Sequence, residues 1–279
     1  MGRKWSRRSF LRAAAGSLAA LGVAPVAAGG RPPSGRTDPA GTLPPRTVGL
    51  RTMGGDFRFD PVGLAVRPGD RVTWLNMGDF HTTTAFHPDN GDLLSGEVPL
   101  RIPEGAEPWH SGMLGLTAGV EFSHDFRVPG VHDYFCQPHY GFGMVGRVVV
   151  LPEDGKESRA LDPPPADELN EASREVLPTV ASILGPPGRA FEWASRINGL
   201  LLLRSHDRDA VAPAEAVERG VREDGELGRL LRAAGAEGHV GSAVAAVAEA
   251  LRAGRGYEEL VGRADAAKDA LASARRGAG

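Results

Sequence analysis

Cysteine is almost absent from this sequence of 279 residues, in which Cys136 is the only one. A single cysteine excludes a disulfide within the chain and leaves three uses for the thiol: a bond to another molecule, a free thiol, or a metal ligand. The formal net charge of -3 produces no long-range field that would indicate nucleic acid as a partner. Beyond the N-terminal region, no apolar run is long enough to span a membrane.

Residues 1–28 resemble a Tat signal peptide. Residues 6–11 read S-R-R-S-F-L, and a weakly apolar, alanine-rich stretch follows from residue 11 to Ala28, after which cleavage is expected. The alternative is a signal that is kept as a membrane anchor, although Pro25 and several glycines make this stretch a poor span. We therefore expect export by the Tat pathway to a periplasmic, extracellular or cell-surface location, with no stable membrane span once the signal is cleaved.

The rest of the chain changes character three times. Residues 29–46 are rich in Gly, Pro and Arg, which predicts a flexible linker. Residues 47–151 contain short apolar runs cut by Gly, Pro and Asp, typical of a β-sandwich, with a long irregular insertion at 85–119. Residues 152–165 end in three prolines and predict a second linker, and residues 166–279 predict an α-helical C-terminal region of unknown role.

Individual elements can be predicted within these regions. Strands are predicted at residues 62–66, 72–75, 120–128, 131–135 and 145–151. Helices are predicted at residues 169–183 with a kink at Pro178, and near 189–204, 214–234, 240–253 and 257–275. We expect residues 47–151 to fold without residues 160–279, because the strand pattern and the candidate ligands described below all lie within the first range. The alternative is that the first helix covers an open edge of the sheet.

The candidate metal ligands gather around the single cysteine. In the segment Y-F-C-Q-P-H-Y-G-F-G-M, Cys136, His139 and Met144 follow the spacing C-x2-H-x4-M, and His81 supplies a second imidazole shortly after a predicted strand. Thiolate and thioether suit Cu(I), and imidazole suits both copper states, so two His and one Cys with a weak axial Met form a blue-copper ligand set. We therefore predict one copper ion held by His81, Cys136, His139 and Met144.

Other interpretations of these residues remain open. His87 is the rival for the first ligand, although it follows a run of threonines and precedes proline. Zinc also binds Cys-His-His sets, but a methionine ligand would be wasted on it. Cys136 taken alone could be a buried core thiol, and Met144 alone could be a packing residue. The remaining histidines have no partner at ligand spacing: His110, His124, His132, His206 and His239.

Two motifs connect the candidate ligands to a known family. One is G-D-x-V-x-W-x-N at residues 69–76, followed by His81-Thr82. The other is G-x-x-x-Y-x-C-x-P-H at residues 130–139, followed by G-M-x-G-x-V-x-V at residues 143–150. Both resemble the cupredoxin (type 1 blue-copper) family, in particular its plastocyanin-like and halocyanin-like members. The resemblance covers residues 47–151 and implies an all-β cupredoxin Greek-key sandwich followed by the α-helical region.

The resemblance also implies a function. We expect a carrier that moves single electrons between redox partner proteins by cycling between Cu(I) and Cu(II), and not an enzyme, because the H-x-H and H-C-H pairs of multicopper enzymes are missing from the sequence. Pro138, His139 and Phe142 are the predicted electron-transfer surface, suited to transient docking. Asn76 is expected to connect the two ligand loops by hydrogen bonds. The alternative is a copper-binding delivery or docking protein whose helical tail sets the partner.

The export prediction is tested by changing both arginines, Arg7→Lys together with Arg8→Lys. The Tat receptor reads the pair itself, so this variant should stay inside the cell although its charge is unchanged. Cell fractionation and immunoblotting measure the outcome, with Lys4→Arg as the charge-neutral control. Normal export of the double variant would contradict a Tat signal.

Overall fold

The computed structural model describes residues 43–91, 93–94, 96–152 and 161–277. The predicted signal peptide and most of the linker at 29–46 lie outside the described residues. Strands occupy the first half: β1 (Thr47–Met53), β2 (Asp56–Asp60), β3 (Gly63–Val66), β4 (Asp70–Asn76), β5 (Thr84–Ala85), β6 (Glu121–Phe126), β7 (Gly130–Phe135) and β8 (Val145–Val150). Helices follow: α1 (Glu171–Val176), α2 (Val180–Leu184), α3 (Pro186–Ser205), α4 (Val211–Glu223), α5 (Gly225–Ala233), α6 (Glu237–Arg252) and α7 (Tyr257–Gly277). None of these helices is both long and apolar enough to cross a membrane.

The strands form two four-stranded sheets, ordered β2-β1-β4-β6 and β3-β8-β7-β5. Strands β1 and β4 run parallel, as do β3 and β8, while the other pairs are antiparallel. The inward side chains of both sheets form one core that includes Trp74, Phe126, Tyr134 and Val148. This confirms the predicted β-sandwich with a helical region after it.

Strand β8 shows why the helices are part of this fold. Its sequence, V-G-R-V-V-V, is buried at every position, whereas a sandwich with one face in water alternates between buried and exposed residues. Val148 faces the core between the sheets, and its neighbour Val149 packs on the other side with Ile183 of α2 and Phe191 of α3. The outer face of this sheet is therefore a second hydrophobic layer, covered by helices.

A cluster of buried charged residues also connects the outer face of this sheet to the helical region. Asp133 of β7 lies opposite Arg147 of β8 in the strand register, and its carboxylate accepts hydrogen bonds from Arg147 at 2.7 and 2.9 Å and from Arg101 at 3.0 and 3.1 Å. Arg147 also donates to the carbonyl of Pro178 at 2.9 Å, and Arg101 to that of Pro164 at 3.3 Å. The end of the predicted linker at 152–165 thus contacts the sandwich directly. Removing one partner from a buried pair of this kind costs about 3–5 kcal/mol.

The long helix α3 lies against the opposite sheet. The backbone N–H of Thr47 in β1 donates to Ser195 Oγ at 2.9 Å, and Asn198 donates to the carbonyl of Asp60 in β2. Lys268 of α7 is buried and donates to Asn198 at 2.8 Å while it pairs with Asp60 at 2.9 Å. The helical region is therefore fastened to both sheets by polar groups as well as by apolar packing.

The predicted helices are placed correctly but two of them are divided. The predicted helix at 169–183 is two short helices, because α1 ends before Pro178 and α2 begins after it. The predicted helix at 214–234 is split at Asp224, whose Oδ1 accepts hydrogen bonds from the N–H groups of Glu226 and Leu227 at 3.1 and 2.9 Å. An aspartate in this position begins a new helix by binding its free N–H groups.

The independent folding of residues 47–151 stays a prediction, and the shared core supports the alternative outcome. A chain of residues 43–151 would expose Val149 and leave Asp133 and its two arginines in water. We expect this chain to aggregate or to unfold at a lower temperature than residues 43–279, as measured by analytical size exclusion and thermal denaturation. A soluble truncated protein with an unchanged melting temperature would show that the helices are dispensable for the fold.

Candidate metal centre

The candidate ligands meet at one end of the sandwich because strands of both sheets end there. His81 lies in the loop after β4, and Cys136 follows β7 directly. The chain then forms a 3₁₀ helix, Gln137–Phe142, which carries His139 back toward the sulfur. Gly143 ends this helix with a φ of 82°, and a Cβ there would lie 2.8 Å from the carbonyl oxygen of Ala172, so the tight return requires glycine.

Three ligand atoms form a small triangle. His81 Nδ1 lies 3.2 Å from His139 Nδ1, and Cys136 Sγ lies 3.7 Å from the first nitrogen and 3.5 Å from the second. A point equidistant from all three is about 2 Å from each, which is an ordinary metal–nitrogen or metal–sulfur distance. Among the described residues, this is the group of at least three His, Cys, Asp or Glu side chains suited to a metal. The residues present therefore fit a copper ion.

The site is buried, and its two imidazoles are in the neutral form that binds a metal. His81 and Cys136 are fully buried and His139 is 9% exposed. Burial lowers the pKa of His81 to about 4, so its imidazole is neutral at pH 7, and burial also lowers the pKa of His139. Burial raises the pKa of the Cys136 thiol to about 11, so a metal ion must displace a proton from sulfur when it binds. Copper affinity should therefore rise with pH through the neutral range.

The two ligand loops are connected by Thr82 and not by Asn76. The N–H of Thr82 lies 3.4 Å from Cys136 Sγ, and its Oγ1 accepts a hydrogen bond from the N–H of Gln137 at 2.8 Å. The side chain of Asn76 donates to the carbonyl of Asp79 at 3.1 Å and to that of Gly115, so it orders the His81 loop and the insertion. In the sequence, the position of Thr82 directly after the ligand His81 is the feature that could have indicated this role.

Of the other two candidate ligands, Met144 lies in the core next to Cys136, whereas His87 lies outside the cluster. Met144 is fully buried in the same core as Cys136, and its carbonyl accepts a hydrogen bond from the Cys136 N–H at 3.0 Å. The rival His87 belongs to a different feature, because its Nδ1 accepts a hydrogen bond from the N–H of Asp89 at 3.1 Å and caps a short 3₁₀ helix. The structure thus brings His81, and not His87, to Cys136 and His139.

The predicted electron-transfer surface contains an unexpected residue. Pro138 is exposed and Phe142 is 67% exposed, but the ring of His139 is covered by Phe57 of β2. The two rings stack with centroids 3.8 Å apart and an interplanar angle of 11°, and Phe57 lies 5.2 Å from Phe142. The sequence pattern did not indicate β2 as a separate strand, so the role of Phe57 was missed.

Comparison with known proteins agrees with this geometry. A family model described as copper binding proteins, plastocyanin/azurin family, matches residues 46–151. Plastocyanin from Scenedesmus fuscus is 31% identical over 110 residues, which cover 97% of that protein and 37% of this chain. The chain belongs to the plastocyanin/azurin family of copper-binding proteins. Its His81–Cys136–His139 cluster is consistent with one type 1 copper ion, as the ligand types predicted.

Other relatives also match part of the chain. Chloroplastic plastocyanin from Tetradesmus obliquus is 32% identical over 109 residues, which cover 37% of this chain and 65% of that protein. Pseudoazurin from Methylobacterium extorquens AM1 has 25% identity and a TM-score of 0.34, and the match covers 46% of this chain and 89% of that structure.

Single substitutions test the ligand set. Cys136→Ser should abolish the intense visible band of the copper-loaded protein, because only a thiolate provides that charge transfer to copper. His81→Ala should change or weaken the band, while His87→Ala should leave it intact, because His87 lies outside the cluster. Visible absorption after copper loading measures both results. An unchanged spectrum for His81→Ala together with a lost band for His87→Ala would contradict the assignment.

Proposed function

We propose that this protein is an exported carrier of single electrons between redox proteins. The observation that carries the proposal is the buried triangle of His81, Cys136 and His139, whose ligand atoms lie within 3.7 Å of one another. Copper-binding proteins of this family are electron carriers. Bound copper would supply one-electron redox chemistry, and the residues around it would hold the ligands in place.

The surroundings of the ligands support transfer over catalysis. Both His81 and Cys136 are fully buried, so a substrate has no direct approach to them. The hydrogen bond that Thr82 donates to Cys136, the one it accepts from Gln137 and the stacked ring of Phe57 restrict the ligands, which keeps the rearrangement small when an electron arrives. The same burial opposes rapid release of metal to another protein, which a delivery role would need.

An apolar surface next to His139 is the proposed docking site. Phe142 is 67% exposed and Phe80, beside the first ligand, is 46% exposed. The Phe142 ring centroid lies 6.5 Å from that of His139 and 5.2 Å from that of Phe57, which stacks on His139, so a partner that contacts Phe142 is one ring contact from the ligand. A small apolar surface of this kind suits brief, weak association. The helical region would then affect partner choice while it supplies none of the three clustered ligands.

The substitution Phe142→Asp tests the docking site. Electron self-exchange between oxidised and reduced copies needs no knowledge of the natural partners, and it is measured by NMR line broadening in mixtures of the two forms. Two like charges across the contact cost several kcal/mol, so the exchange rate should fall at least about tenfold. The visible spectrum should not change, because Phe142 is not a ligand.

The control is Leu184→Asp, which adds the same charge at a leucine of α2 that is 37% exposed. Its self-exchange rate should match that of the unchanged protein apart from a small net-charge effect, which raising the salt concentration removes. Equal rates for Phe142→Asp and Leu184→Asp would rule out docking through Phe142.

A further inference from the structure

The side of His81 that faces away from the ligand triangle is also engaged. Its Nδ1 belongs to the triangle, while its Nε2 lies 3.2 Å from Oγ1 of Thr52, near the end of strand β1. That hydroxyl lies 2.9 Å from a carboxylate oxygen of Asp79, in the loop that carries His81. Two hydrogen bonds therefore connect the buried ring to Asp79 through Thr52.

The direction of these hydrogen bonds follows from the groups involved. An ionised carboxylate can only accept, so the Thr52 hydroxyl must donate to Asp79. The threonine oxygen is then free to accept the N–H of His81 Nε2. With its proton on Nε2, His81 has its lone pair on Nδ1, which is the atom in the triangle. The His81 ring also has a backbone hydrogen bond with Gly78, so the chain through Thr52 favours, and does not alone select, the tautomer that copper binding requires.

Asp79 is held in an unusual conformation that serves this contact. Its φ is 79°, in the left-handed region that residues other than glycine rarely adopt. Its Oδ1 accepts a hydrogen bond from the N–H of Phe80 at 2.7 Å, and its carbonyl accepts one from Asn76 at 3.1 Å. Backbone strain of this kind persists only where surrounding contacts maintain it. Asn76 thus acts on the copper site through Asp79.

We propose that Thr52 and Asp79 are positioning residues that fix the tautomer of His81 and favour Cu(II) over Cu(I). The carboxylate places negative charge at the far end of the hydrogen-bonded chain, and this charge stabilises the more positive copper state. Thr52 is exposed and Asp79 is partly exposed, so the charge effect is weakened by salt while the tautomer effect is not. The proposal needs the copper site only, and it holds whether or not the electron-carrier function does.

The principal test is Thr52→Val, which keeps the shape of the side chain and removes the hydroxyl. Loss of such a partner typically weakens metal binding 10–100-fold, and for an exposed hydroxyl we expect about tenfold for Cu(II) and less for Cu(I). The ratio of the two dissociation constants then shifts toward Cu(I), and the reduction potential rises by about 59 mV per tenfold change in the ratio. Competition with chelators and protein-film voltammetry measure these quantities.

A second readout needs no copper. In the metal-free protein, ¹⁵N NMR of the His81 ring should show a single tautomer with the proton on Nε2, and Thr52→Val should populate the other tautomer. Thr52→Ser keeps the hydroxyl and should restore both the tautomer and the affinity ratio. Asp79→Asn tolerates the same backbone conformation without the charge, so it should keep the tautomer and shift the ratio by roughly threefold, less at high salt.

The control is Thr73→Val, which removes a hydroxyl bond of 2.9 Å to Ser123 between β4 and β6 of the same sheet. It should lower stability without changing the tautomer or the ratio. The proposal is overturned if Thr52→Val behaves in the same way, because Thr52 would then only fasten β1 to the loop. An unchanged ratio in Asp79→Asn at low salt would overturn the role of its charge.

Discussion

The constraint on which this structure depends is that three ligand atoms must lie within 3.7 Å of one another in a buried site. Neutral imidazoles and a protonated thiol tolerate this crowding, which charged groups would not, and burial produces those protonation states by shifting each pKa. The site is therefore arranged by the fold, and the fold must hold loops from two different sheets in register. Thr82 does this directly, because it contacts both Cys136 and Gln137.

The helical region strengthens that register from outside. The strand β7, which ends at the cysteine, carries Asp133 on its outer side, where two arginines connect it to the segments before α1 and α2. Gly143, beside Met144, leaves just enough room for Ala172 of α1. The second ligand loop is thus packed between the sandwich and the first helix, so the helices limit its movement although they provide none of the three clustered ligands.

The site was more predictable than the way the two halves meet. Ligand chemistry is local in sequence: the spacing of Cys136 and His139 in one loop already implies a shared metal, and the copper family followed from it. The contacts of Thr52 and Phe57 with the ligands could not be predicted from ligand spacing, because each residue lies on another strand and far from its ligand in sequence. The sequence showed strand β8 as a plain apolar run, which has the same appearance whether its outer face is covered by another molecule or by helices of the same chain. Because residues 152–165 were interpreted as a flexible linker, the packing of the helices on β8 was not predicted.

The two imidazoles are held by opposite kinds of contact, and this difference assigns them different tasks. His81 is held by polar groups on β1 and its own loop, which fix where its proton lies. Outside the ligand triangle, His139 is held by the flat face of Phe57, which makes no hydrogen bond to it. The aromatic ring of Phe57 connects His139 to the exposed Phe142 by packing, whereas the Asp79 carboxylate acts on His81 through its negative charge. Under the two proposals above, His81 is the ligand through which the protein adjusts the metal, and His139 is the one through which a partner reaches it.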